Sequence, residues 1–174
     1  MKLQAITNDT LRILDAGGYD RDGHRVEIGA AVERACARTR AHSPAEVAAT
    51  VQRVAATQGT SRGEVVVTAE STTACARRLV AEGARVACLN FASAKNPGGG
   101  FLGSARAQEE QVCRASALYP TLRTQRVYYD ENRAGSDARY TDWAITSPDV
   151  PVFRDDAMKL LPSPFEASFV TMPA

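Results

Sequence analysis

The chain has 174 residues, of which 44% are hydrophobic and 24% charged. Those proportions exclude a disordered or fibrous chain, and the length lets one domain bury a core without disulfide or metal staples. A formal charge of +1, from 21 basic and 20 acidic residues, argues against a broad electrostatic surface for duplex nucleic acid or anionic lipid. No apolar run reaches membrane-span length, and residues 1–9 lack the apolar stretch of a signal peptide, so a cytoplasmic location is expected. Cys36, Cys75, Cys88 and Cys113 lie far apart and His24 and His42 are isolated, which is not zinc-site spacing and fits reduced thiols.

Thr7 to Ala16 reads as a short helix, capped at Thr7 or Asn8 and stopped by Gly17-Gly18. Tyr19-Asp20 and His24 to Ile28 flank Arg21-Asp22-Gly23, a hairpin turn whose Asp-Gly suits positive φ. Val32, Ala35, Cys36 and Thr39 then recur at helical spacing, as do Val47, Val51 and Val54 after Ser43-Pro44. Val65-Val66-Val67 is a β-branched run, followed by a helix from Ser71 to the stop at Gly83 and a second apolar run, Arg85 to Phe91. That order predicts a βαβ unit with a parallel pair, hence a central α/β sheet. Further strands are expected at Trp143 to Thr146, around Val150 to Phe153, and at Ser168 to Met172 as an inner strand, with a polar stretch from Asp130 to Asp142.

Ligands of parallel sheets sit beyond the carboxyl ends of strands, which points to the segment after Phe91. There Gly98-Gly99-Gly100 lets backbone approach a ligand without a Cβ, with N–H groups that can converge on oxygen atoms; the bland alternative is a flexible turn. A helix starting near Ser104 or Ala105 carries Gln108-Glu109-Glu110. Glu109 and Glu110 stand about 100° apart around such a helix, so one can bind while the other reacts. Ordinary i, i+4 pairing of Glu110 with Arg106 and Arg114 is the competing explanation. Lys95, Arg106 and Arg114 flank the segment, as solvated charges or as added attraction for an anion.

Asn90-Phe91-Ala92-Ser93, then Asn96-Pro97-Gly98-Gly99-Gly100, seven residues, and Gln108-Glu109-Glu110 together resemble the signature of microbial-type poly(ADP-ribose) glycohydrolases. Phe101-Leu102-Gly103, Gln111 to Arg114, Ser116 to Tyr119 and Ser168 to Pro173 extend the resemblance. It implies a macrodomain-like three-layer α/β/α fold with a mixed sheet, apparently lacking its C-terminal part in this chain. Residues 1–174 would form one domain, with 1–63 a helical and hairpin extension and 64–174 holding the sheet and catalytic loop. It implies that Glu110 is the acid/base, that Glu109 binds ribose hydroxyls, and that Gly98, Gly99 and Gly100 wrap the diphosphate and distal ribose. Asn90, Ser93, Asn96, Phe101 and Gln108 complete the implied substrate-binding set.

The implied reaction is hydrolysis of ribose–ribose bonds in poly(ADP-ribose), releasing ADP-ribose, with no metal or organic cofactor. An oxocarbenium-like transition state needs a proton for the departing hydroxyl, a carboxylate beside the positive charge and a positioned water. Glu110 can supply these in sequence if burial keeps it protonated against the pull of a helix N-terminus. A non-hydrolytic ADP-ribose-binding module, or an inert half awaiting a partner, are the competing expectations. Because Ser168 to Met172 reads as an inner strand, a complementing C-terminal chain is expected to cover the sheet.

Overall fold

The computed structural model describes residues 3–57, 63–135 and 140–174. Its first helix, α1 (Leu3–Asp15), buries Ile6, Thr7, Thr10 and Ile13 on one face and ends before Gly17, which takes φ +66. Strands β1 (Gly18–Arg21) and β2 (His24–Glu27) form the expected hairpin, with Asp22 and Gly23 both at positive φ. Helix α2 (Gly29–Arg38) leads into β3 (Arg40–His42) and then α3 (Pro44–Ala56). A capping box joins Ser43 and Glu46 at the start of α3. Ser71 caps α4 (Thr72–Ala81), and β4 (Ala87–Ala92) follows.

The remaining elements are α5 (Gln108–Ala115), α6 (Leu118–Arg123), α7 (Arg126–Ala134), β5 (Ala144–Arg154) and β6 (Leu160–Pro173). The main sheet has the order β3-β5-β6-β4, with β4 parallel to β6 and the other pairs antiparallel. The two strands expected at Trp143–Thr146 and Val150–Phe153 are one, β5, whose register shifts between Ser147 and Val150, where Asp149 takes φ +52. Ser168–Met172 is the last part of β6, an inner strand as expected.

Two expectations are corrected. Val65-Val66-Val67 forms no strand: Val65 and Val67 are 90% and 93% exposed, and the parallel neighbour of β4 is β6. β-branched residues favour a pleated, half-buried surface, and among the described residues nothing offers these valines one. The sheet also takes β3 from within residues 1–63, because Arg40–His42 pairs with Ala144–Thr146.

Residues paired across strands share a face, and the two faces differ. Cys88, Asn90, Ile145, Ser147, Phe169 and Thr171 are buried on the inner face, where α2 and α6 pack on β5 and α5 packs on β4 and β5. On the outer face, α3 lies toward the β3 end of the sheet, where Val47, Thr50 and Val51 line a groove with Ala144, Thr146, Val170 and Met172. Leu89 and Phe91 of β4 are exposed there, Phe91 by 58%. The outer helical layer is therefore thin, and β4 is an edge strand among the described residues. No helix in this set is long and apolar enough to cross a membrane.

Helix α1 is pinned to the sheet by a buried cation. Arg154 at the end of β5 is 3% exposed, pairs with Asp9, and donates from Nη1 to the Met158 carbonyl at 2.9 Å. Burial pushes the Asp9 carboxyl up, but its ion pairs with Arg154 and Arg12 outweigh burial and hold it below the usual value. Replacing Asp9 with Asn leaves Arg154 uncompensated. Because Asp9 is itself about one-third exposed, the expected loss is about 2–3 kcal/mol, measured by urea unfolding at neutral pH.

Candidate functional site

The site lies where β4 ends. Beyond Ala92 the chain turns through residues 93–107 before α5 starts at Gln108, three or four residues later than the sequence periodicity implied. Each residue of the Gln108-Glu109-Glu110 triplet binds a different piece of backbone. Gln108 Oε1 accepts the Phe91 N–H at 2.9 Å, while its Nε2 donates to the Leu89 carbonyl at 2.8 Å and to Thr72 Oγ1 at 3.1 Å. Glu109 Oε2 accepts the Ser93 N–H at 2.8 Å. Glu110 Oε1 accepts the Gly100 N–H at 2.7 Å.

Both carboxylates are buried, Glu109 being 2% and Glu110 6% exposed, and Glu109 Oε1 and Glu110 Oε2 have no hydrogen-bond partner in the protein. Among the described residues neither joins an ion pair, so the i, i+4 pairing with Arg106 and Arg114 is not what engages them. Burial pushes the Glu109 carboxyl up to about 7; Glu110 beside it adds to the shift, while Ser93, Asn90 and Gly98 act against it. Asn90 is buried next to Glu109, donating from Nδ2 to Thr171 Oγ1 at 3.1 Å, with its Oδ1 unpartnered.

The loop closes directly on these acids. Gly98 and Gly99 take φ +71 and +56, and a Cβ at Gly99 would lie 2.5 Å from Glu110 Oε1 and 2.9 Å from Glu109 Oε2. The glycines are thus required by contact with the carboxylates as well as by backbone conformation. One expectation changes: the N–H groups of Gly99, Gly100, Phe101 and Gly103 are engaged within the protein. Gly99 donates to Asn96, Phe101 to Gly98 and Gly103 to Gly100, while the Gly100 N–H is held by Glu110.

The other expected residues are distributed as follows. Ser93 Oγ accepts the N–H groups of Lys95 and Asn96 and shapes the start of the loop, and Asn96 itself is exposed. Phe101 is fully buried with its ring 4.7 Å from that of Tyr119, and its carbonyl accepts from Thr7. Its side chain therefore belongs to the core. Arg114 is buried, not solvated, and Cys113 is a core thiol whose pKa burial pushes up. His24 is exposed, and His42 meets Thr146 Oγ1 at 2.8 Å.

Tyr128 and Tyr129 of α7 are buried core residues, as their aromatic character implied, with unpartnered hydroxyls and pKa values raised by burial and secondarily by Glu109. Thr7 and Thr171 bond to residues of this region, to the Phe101 carbonyl and to Asn90, and were not among the expected site residues.

An α/β protein with a buried carboxylate pair under a glycine loop, at the end of a parallel strand, is the class that fold and site define. A family model for the catalytic domain of microbial-type poly(ADP-ribose) glycohydrolase matches residues 7–155, and the chain belongs to that family. It is similar to the poly(ADP-ribose) glycohydrolase of Thermomonospora curvata, with 43% identity and a TM-score of 0.94 over 99% of this chain and 64% of that one. The same enzyme bound to the inhibitor ADP-HPD gives 43% identity and a TM-score of 0.90, covering 99% of this chain and 62% of that one. The Deinococcus radiodurans enzyme in complex with ADP-ribose gives 45% identity and 0.77, over 82% of this chain and 58% of that one. The chain thus spans less than two-thirds of the length of these relatives. No curated protein matches.

Two measurements probe the site itself. The Glu109 proton is held more tightly in the fold, at about 7, than in the unfolded chain, near 4.5. The folded form therefore binds more protons between those values, and unfolding free energy falls as pH rises through that window, by up to about 3 kcal/mol. Urea midpoints at pH 5 and pH 8 should show this fall, and Glu109→Gln should flatten it. Gly99→Ala puts a methyl group against both carboxylates at positive φ. A destabilisation of about 1–3 kcal/mol is expected by the same assay.

Proposed function

We propose that the chain hydrolyses ribose–ribose O-glycosidic bonds in poly(ADP-ribose) and releases ADP-ribose, with Glu110 as general acid and then general base. The observation that carries this reading is the state of Glu110: buried under the loop, with Oε1 fixed by the Gly100 N–H and Oε2 unpartnered. With Oε1 engaged as an acceptor, a proton on this carboxyl belongs on Oε2, the oxygen left to donate to the departing ribose hydroxyl. Once the proton is given, the carboxylate stabilises the oxocarbenium-like sugar and takes a proton from the attacking water. The chemistry uses no metal or organic cofactor.

Glu109 binds ribose hydroxyls in this reading through Oε1, beside the unpartnered Asn90 Oδ1. Gly98, Gly99 and Gly100 contact the ligand through the loop surface, since most of the loop N–H groups are occupied internally. Helix α5 starts without a side-chain cap at Ala107, which leaves first-turn N–H groups for an anion. The inhibitor-bound and ADP-ribose-bound relatives support a ligand of this type.

We infer in addition that a further polypeptide, equivalent to the part of the relatives this chain does not span, completes the domain over the exposed Leu89, Phe91 and Val65-Val66-Val67. The complete domain would run as one unit that includes the N-terminal elements, since β3 is a strand of its sheet.

The test is incubation with labelled poly(ADP-ribose), using this chain alone and with the remaining third of a relative supplied separately. Release of ADP-ribose is expected, stronger with the added segment. Glu110→Gln should lower the rate by a factor on the order of 10²–10⁴ while ADP-ribose affinity stays within a few-fold. No release under either condition overturns the enzymatic reading.

A further inference from the structure

Behind the carboxylate pair, on the side of α1, lies a buried cation that the hydrolytic chemistry does not require. Arg114 sits one helical turn beyond Glu110 and is 1% exposed. Its Nε donates to Thr7 Oγ1 at 3.0 Å and its Nη2 to the Gly103 carbonyl at 3.4 Å. Thr7 Oγ1 donates in turn to the Phe101 carbonyl at 3.1 Å. A hydroxyl has one proton, so the Thr7 proton is committed to Phe101 while a lone pair receives Arg114. Gln4 Nε2 holds the Leu102 carbonyl at 3.1 Å, and Thr10 Oγ1 holds the carbonyl of Arg114 itself at 2.8 Å.

The carbonyls of Phe101, Leu102 and Gly103 are therefore all anchored from α1 and Arg114, on the limb of the loop that follows Gly100. A triple-glycine segment has more backbone freedom to lose than any other, and its own internal bonds are short-range turns. Gly100, whose N–H meets Glu110 Oε1, directly precedes this anchored limb. We propose that Thr7 and Arg114 are positioning residues: they clamp Phe101 and Gly103 so that the loop holds the Glu110 carboxyl in one orientation. Neither residue touches the reacting atoms. The kinetic consequence rests on the reading of Glu110 as the acid, but the clamp itself does not.

Thr7→Val removes the hydroxyl at nearly constant volume, and Thr7→Ser keeps it. Amide hydrogen exchange across residues 98–103 and steady-state release of ADP-ribose are measured for both variants and the parent chain. Thr7→Val is expected to speed exchange in that segment about tenfold, the equivalent of one net hydrogen bond, with the β1–β2 hairpin unchanged. It should lower kcat about tenfold with KM within twofold, and Thr7→Ser should restore both. Arg114→Lys keeps the charge but loses the fork, and is expected to speed exchange in the same segment. Loop exchange that stays at the parent rate in Thr7→Val or, if that variant does not fold, in Arg114→Lys overturns the clamp. So does a Ser variant as impaired as the Val variant. A parent chain with no turnover would count against the enzymatic reading alone, and exchange would still decide the clamp.

Discussion

Two carboxylates on consecutive helical residues point about 100° apart, so a structure that buries both must enclose the first turn of the helix from two directions. Here the end of β4 closes one side, through the Ser93 N–H on Glu109, and the glycine loop closes the other, through the Gly100 N–H on Glu110. Desolvating two neighbouring acids is unfavourable, and each backbone N–H offsets part of it. For Glu109, burial outweighs that offset and holds its pKa above the ordinary value. Every other feature around the site keeps these two enclosing segments in place.

Gln108 shows how. In a parallel strand, successive residues direct their hydrogen-bonding groups to alternate edges, and β4 uses Val86 and Ala92 carbonyls toward β6. Leu89 and Phe91 face the opposite edge, where the Gln108 carboxamide takes the Leu89 carbonyl and the Phe91 N–H in the manner of a neighbouring strand. That bidentate contact fixes the start of α5 on β4, and with it the positions of Glu109 and Glu110. The seven residues between Gly100 and Gln108 are then the path that returns the chain from the loop to the strand edge.

What was legible in the sequence was local. Asp22-Gly23, Ser43-Pro44 before α3, and Ser71 before α4 announce their turn and helix starts because each acts on backbone within a few residues. The proximity of the glycine run to the Gln108-Glu109-Glu110 triplet was readable from spacing and family resemblance together. What was hidden depends on distant partners. β3 is three residues long and exists because β5 pairs with it, and Val65-Val66-Val67 has strand composition but no neighbour among the described residues. Arg114 reads as an exposed helix charge until Thr7, over a hundred residues away, supplies the acceptor. The loop N–H groups read as an anion cradle, yet the fold turns the one at Gly100 toward a carboxylate.

The same strand that carries the site carries the least covered part of the sheet. Along β4, exposed and buried residues alternate without exception, and the exposed set includes Leu89 and Phe91, whose burial would be favourable at roughly 25 cal/mol per Å². Covering that outer face is independent of extending the edge. Gln108 already occupies the edge groups of Leu89 and Phe91, so a strand added beside β4 finds hydrogen-bonding groups only toward Ala87. An added layer can therefore bury the face of β4 without running past its C-terminal end.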